Sequence, residues 1–217
     1  MWLLWYLYMM YVGTLIFMYA YVHANNIPTW HDYLQAGYFI NLSHRQDRLK
    51  IIQRSLEILR LKQIVVRLEA VAASPGFMGC TQSHLNAIRN FLQSSSYKEA
   101  KNPAKLWYII FEDDFYVTKP TLQKRRCIEH ALQTPACQVI MLSANVLREK
   151  RHIRPGLIET DGAYCGSSYM IRGSYLATLE YIYEQALVEK KPLDVMWLPW
   201  QSAGNRARSC VRLKLSL

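Results

Sequence analysis

The chain has 217 residues, half of them hydrophobic, with 26 Lys and Arg against 16 Asp and Glu and a formal charge of +10. That size fits one α/β domain with a proper core and scarcely two, and the apolar content excludes a disordered chain. The excess positive charge predicts an anionic partner and leaves nucleic acid, a membrane surface and a phosphate-bearing small molecule open.

Met1 to Val22 carries no charged side chain, and the first Lys or Arg of the chain is Arg45. A run of this length suffices to cross a bilayer as a helix, so residues 1–24 are predicted as a single-pass N-terminal membrane or signal-anchor segment. Five tyrosines in the run pull instead toward the interface, and no flanking basic residue sets an orientation.

From Gly37 the character changes. Tyr38 to Leu42 predicts a short strand, and Ser43-His44-Arg45-Gln46 has the Ser-x-x-Gln spacing of a capping box opening a helix through Ile51, Ile52, Leu56 and Leu59. Arg45, Asp47 and Arg48 then fall on the turn and first helical residues, where guanidiniums and free N–H groups can meet phosphates; a solvated first turn is the plainer reading of the same residues. Asn41-Leu42-Ser43 matches a glycosylation sequon, but a core-strand end makes a poor acceptor.

Ile64 to Val71 predicts a second strand and Ala72 to Gly79 a loop. Gly79-Cys80-Thr81-Gln82-Ser83-His84 then opens a helix carried by Leu85, Ile88, Phe91 and Leu92, with Ser83 and His84 in its first turns. A lone histidine there is more often structural than catalytic. The five cysteines are dispersed, with no CxxC pair or Cys/His cluster along the sequence, so neither a zinc site nor a disulfide framework is predicted.

The strongest feature is Leu106-Trp107-Tyr108-Ile109-Ile110-Phe111-Glu112-Asp113-Asp114: six apolar or aromatic residues closed by three carboxylates. It predicts a strand buried on both faces, and in open α/β sheets the carboxyl ends of strands face the ligand crevice. Three adjacent acids suit a hard cation such as Mg²⁺ or Mn²⁺, with a solvated acidic turn as the alternative.

Beyond it come a basic helix holding Lys124, Arg125 and Arg126, a strand from Gln138 to Leu142, and a basic loop from Arg148 to Arg154. A strand from Gly162 to Ile171 follows, then a helix capped by Ser174 and running to about Leu187, with Asp194 after the Pro192 turn. Alternating strands and helices predict an α/β fold with a mixed, mostly parallel sheet flanked by helices.

Taken in order, Ile40-Asn41-Leu42, Arg45-x-Asp47-Arg48, Gly79-Cys80 with Ser83-His84, Ile110 to Asp114, Tyr169-Met170-Ile171 and Pro192-Leu193-Asp194 resemble glycosyltransferase family 25. That family includes lipooligosaccharide β-galactosyltransferases and procollagen galactosyltransferases. The resemblance covers about Tyr38 to Trp197, within a domain spanning 37–200, and leaves 201–217 as a basic tail with no family pattern.

The resemblance implies a GT-A type nucleotide-sugar fold and transfer of a hexose, galactose or glucose, from a UDP-sugar to a glycan or hydroxylysine-type acceptor. It implies Mn²⁺ or Mg²⁺ on Asp113 and Asp114, with Glu112 beside them as orienter or further ligand. Asn41, Arg45, Asp47, Arg48, Ser83 and His84 would line the donor site, and Asp194 would be the general base, with Glu159 and Asp161 as competitors. No nucleic-acid partner is expected. The alternatives are a metal-dependent phosphodiesterase or nuclease, which requires a lysine such as Lys119 paired with the acids, and an inactive, membrane-tethered descendant of the transferase fold.

Overall fold

The computed structural model describes residues 29–117, 122–201 and 210–213. The predicted membrane segment, Lys119 and most of the basic tail lie outside the described residues. Among those described, no helix is long and apolar enough to cross a membrane.

The architecture is α/β: a six-stranded mixed sheet in the order β2-β1-β3-β5-β4-β6 with helices on both faces. β1 (Leu34–Asn41) lies between β2 (Val65–Glu69) and β3 (Trp107–Glu112), all three parallel. β4 (Val139–Arg154) and β5 (Leu157–Arg172) form a long hairpin whose second strand joins β3 antiparallel, and β6 (Cys210–Leu213) closes against both. The helices are α1 (Gln46–Ile58), α2 (Gly76–Gln93), α3 (Leu122–Gln133), α4 (Leu176–Val188) and the short α5 (Leu193–Trp197).

The period-2 pleat of β3 organises the core. Trp107, Ile109 and Phe111 point into a cluster shared with Ile52 and Leu56 of α1 and Cys127, Ile128 and Leu132 of α3. Tyr108 and Ile110 point the other way, into a cluster with Leu85, Ile88 and Phe91 of α2 and Leu179, Ile182 and Tyr183 of α4. Residues Trp107 to Phe111 are essentially inaccessible. A strand buried on both faces is the arrangement the uninterrupted apolar run predicts.

Four local expectations are corrected. The Ser-x-x-Gln capping box does not form: Arg45 occupies the cap without a side-chain bond, the Gln46 amide donates to the Ser43 carbonyl (2.7 Å), and the Ser43 N–H donates to Glu69 (2.8 Å). The carboxylate of Glu69, brought alongside by parallel pairing, competes for the same turn.

The stretch from Arg148 to Arg154 is strand, not loop. Its charges sit on the exposed side of a hairpin turned at Gly156 (φ +84°), and repeated register shifts bend the ladder. Ser174 is not the cap of α4: it lies in a 3-10 turn, Gly173–Tyr175, and donates to Gln138. Finally, α2 begins at Gly76, so Gly79 sits inside the helix, where a Cβ would collide with the Val71 carbonyl. Glycine at this position lets α2 pack directly against the chain leaving β2.

Candidate functional site

The carboxyl ends of the parallel strands β1 and β3 open into a cleft of about 190 Å³. Its lining includes Asn41, Arg45, Arg48, Cys80, Ser83, His84, Glu112 and Asp113, drawn from three separate stretches of sequence. Position follows from the same pleat that sorts the core. Phe111 points to the α1 side, so Glu112 points to the α2 side and Asp113, on the turn that follows, meets α1.

On the α1 side, both oxygens of Asp113 accept hydrogen bonds, one from Asn41 Nδ2 (2.8 Å) and one from Arg48 Nη1 (3.0 Å). Asn41 is itself buried; its Oδ1 accepts from Arg67 Nε (3.0 Å), and Arg67 continues to Glu69 (2.8 Å). An amide so engaged is no glycosylation acceptor. Arg45 and Asp47 form a two-point ion pair on the solvent side (3.0 and 2.7 Å), and that hydrogen bond holds the Asp47 carboxyl well below the usual range.

On the α2 side His84 and Tyr169 are buried, and Cys80 and Glu112 are half-buried. His84, with no exposed surface, joins Tyr169 Oη through Nδ1 (2.7 Å) and Glu112 Oε1 through Nε2 (3.1 Å). Tyr169 continues to the Tyr183 hydroxyl (2.9 Å). The Cys80 thiol donates to the same Glu112 oxygen (3.5 Å). Burial opposes ionisation of Glu112, yet the bonds and charge of His84 with the Cys80 bond outweigh it and hold the carboxyl below the ordinary glutamate range.

Asp114 differs from its neighbours. Partial desolvation and then the charges of Glu112 and Asp113 push its carboxyl up, against the pull of Arg48. Among the described residues it has no close cation.

Asp194, in the first turn of α5, is half-buried, and one of its oxygens accepts from the Val195 N–H (2.9 Å). It stands close enough to the cleft that burial first, then the charges of Glu112, Asp194 and Asp114, raise the Cys80 thiol far above its ordinary value. The structure thus brings this late acid to the same neighbourhood as the triplet, 80 residues earlier in the chain.

Ser83 lines the cleft but is structurally occupied. Its hydroxyl donates to the Gly79 carbonyl (2.6 Å) and accepts the Val71 N–H (2.8 Å), latching the β2–α2 connection onto the helix. The competing acids fare differently from Asp194: Glu159 is held by Lys150 (2.9 Å) and Arg151 (2.5 Å), and Asp161 pairs with Arg148 (3.6 Å) on the hairpin.

Two participants escape sequence reasoning. By dispersal along the sequence Cys80 reads as one more isolated thiol, although Cys80 and His84 are four apart and so share a helix face. Tyr169 is brought in by antiparallel pairing of β5 with β3, opposite Ile110, which no local pattern encodes.

A divalent ion on the acidic lip is compatible with the donors present, since Asp114 is an oxygen donor with no close cation among the described residues. Asp113, with both oxygens already accepting, serves the Arg48–Asn41 network. No protein-family model matches this chain, and neither does any curated protein.

Proposed function

We propose that the chain is a metal-dependent glycosyltransferase of GT-A type that moves a hexose from a UDP-sugar to a hydroxyl of a glycan or hydroxylysine-type acceptor with inversion. The observation that carries this reading is the two-sided cleft at the carboxyl ends of β1 and β3. Arg45 and Arg48 line it together with Glu112 and Asp113, and Asp114 and Asp194 stand beside it. A diphosphate needs cations on one side and, through a bridging ion, carboxylates on the other.

The residues divide the work by position. Arg48, held by Asp113, presents its remaining N–H groups toward the cleft for a phosphate oxygen, and Arg45 adds a second guanidinium at the mouth. Asp114, on the acidic lip beside Asp113, would hold Mn²⁺ or Mg²⁺, which when bound neutralises charge developing on the departing diphosphate.

In the transfer step the acceptor oxygen forms a bond to the anomeric carbon as the bond from that carbon to the phosphate oxygen breaks. UDP leaves with the electron pair. Asp194 takes the acceptor's proton, since it is a half-buried carboxylate that retains an oxygen beyond its Val195 bond. Glu112, anchored by His84 and Cys80, fixes the wall against which the sugar rests.

The test is thermal stability and hexose transfer for the full chain with UDP, UDP-galactose or UDP-glucose, each with and without Mn²⁺. A ligand at about 100 times its dissociation constant stabilises the native state by roughly 2.7 kcal/mol. Metal-dependent stabilisation by one UDP-sugar is expected, with transfer reduced on the order of 10²-fold or more in Asp114→Asn combined with Asp194→Asn. No response to any nucleotide overturns the reading.

A further inference from the structure

We infer that Cys80, His84 and Glu112 form a second, softer metal site in the wall of the cleft, built for a zinc-class divalent ion. One ligand atom from each of the three lies within 4.8 Å of the others. The Cys80 Sγ to Glu112 Oε1 distance is 3.5 Å and the His84 Nε2 to Glu112 Oε1 distance is 3.1 Å. Bonds of about 2.3 Å to sulfur and about 2.0 to 2.2 Å to nitrogen and oxygen set tetrahedral ligand separations of roughly 3.3 to 3.6 Å, so small side-chain adjustments suffice.

The local architecture supports the donor set. Cys80 and His84 are one helical turn apart on α2, where the Gly79 contact with Val71 fixes the start of that face. His84 bonds Tyr169 through Nδ1, which orients the ring and leaves Nε2 as the atom directed at Glu112. All three residues line the cleft, so three protein donors leave a fourth position facing the ligand space.

Donor chemistry separates this site from the acidic lip. Thiolate and imidazole select zinc-like ions over Mg²⁺ and Mn²⁺, which favour all-oxygen ligands. The charges also balance: binding releases the Cys80 thiol proton to solvent, and one thiolate, one carboxylate and one neutral imidazole neutralise a divalent ion. The inference stands on these residues whether or not the nucleotide-sugar reading holds.

Cobalt substitution tests it on the full chain. Co²⁺ added to metal-free protein is expected to bind at one equivalent with intense tetrahedral visible absorption and a thiolate-to-cobalt charge-transfer band, unaffected by excess Mg²⁺. Cys80→Ser should abolish the band, and Asp114→Asn should retain it. Tyr169→Phe removes only the orienting hydroxyl and should weaken binding by about 10- to 100-fold, which keeps the test decisive if Cys80→Ser fails to fold. A weak octahedral spectrum without charge transfer, a band surviving Cys80→Ser, or unaltered affinity in Tyr169→Phe overturns the inference.

Discussion

The two sides of the cleft both carry ionisable side chains and behave oppositely. On the α2 side, buried His84, Tyr169 and Tyr183 join half-buried Glu112 and Cys80 in a relay in which each of the five side chains has a hydrogen-bond partner. On the α1 side, Arg45, Asp47 and Arg48 are charged and substantially open to solvent, and only Asp113 and Asn41 are withdrawn from it. A buried network of this kind shapes a site before a ligand arrives, because an unpaired group there is costly. An exposed ionic rim contributes little to stability and retains the freedom to meet an anion.

Breaking the buried side is expected to have the largest effect. His84→Ala opens a cavity in the core and leaves the Tyr169 hydroxyl and the Glu112 carboxylate short of a partner. The expected loss is about 2–4 kcal/mol, read as a fall in the denaturation midpoint without a change in the denaturant slope. A loss under about 0.5 kcal/mol would mean that the relay carries no structural load and that the contrast between the two sides is wrong.

Arg48→Ala probes the other side. Its guanidinium is more than one third exposed, so solvent screening holds the stability loss to about 1 kcal/mol, part of it from leaving the withdrawn Asp113 without its cation. Diphosphate affinity should fall about tenfold, equivalent to about 1.4 kcal/mol, and its salt dependence should weaken. Calorimetric titration with UDP at two ionic strengths reads both. A stability loss as large as that of His84→Ala, with affinity unchanged, would make Arg48 a structural residue.

Much of this geometry was legible in the sequence because strand periodicity is a strictly local property. Tyr108 to Asp114 reads as a strand with acids at its crevice end, and the alternation alone sends Glu112 and Asp113 to opposite sides. Arg45 and Arg48 follow from the helix register after β1. Pairing partners were not legible: Tyr169 reaches His84 only because β5 turns back antiparallel beside β3, and Asp194 reaches the neighbourhood of Cys80 through the packing of α5 against α2 and β5. The basic stretch from Arg148 to Arg154 reads as a loop by charge, yet it is held as strand by a partner and a buried counter-ion further along the chain.

That counter-ion supplies the smallest effect and the sharpest control for the comparison. The Glu159 side chain is about as withdrawn as that of Asp113, at 6% against 10% exposure, but it lies on the hairpin with two exposed basic partners, Lys150 and Arg151. Burial opposes its ionisation, and the bonds from Lys150 and Arg151 more than offset this and hold the carboxyl below the ordinary glutamate range. A carboxyl with a depressed folded-state pKa adds stability above its unfolded value, near 4.3, and loses that contribution as pH falls through the folded value. Wild-type protein should therefore shed about 1 kcal/mol or less on acidification through that window, and Glu159→Gln should flatten this part of the profile while leaving UDP affinity at neutral pH unchanged. An acid profile identical in the two proteins would show that the hairpin charges are a solvated rim like Arg45 and Asp47, so that withdrawal of the carboxylate alone, without a withdrawn partner, does not make an ion pair count.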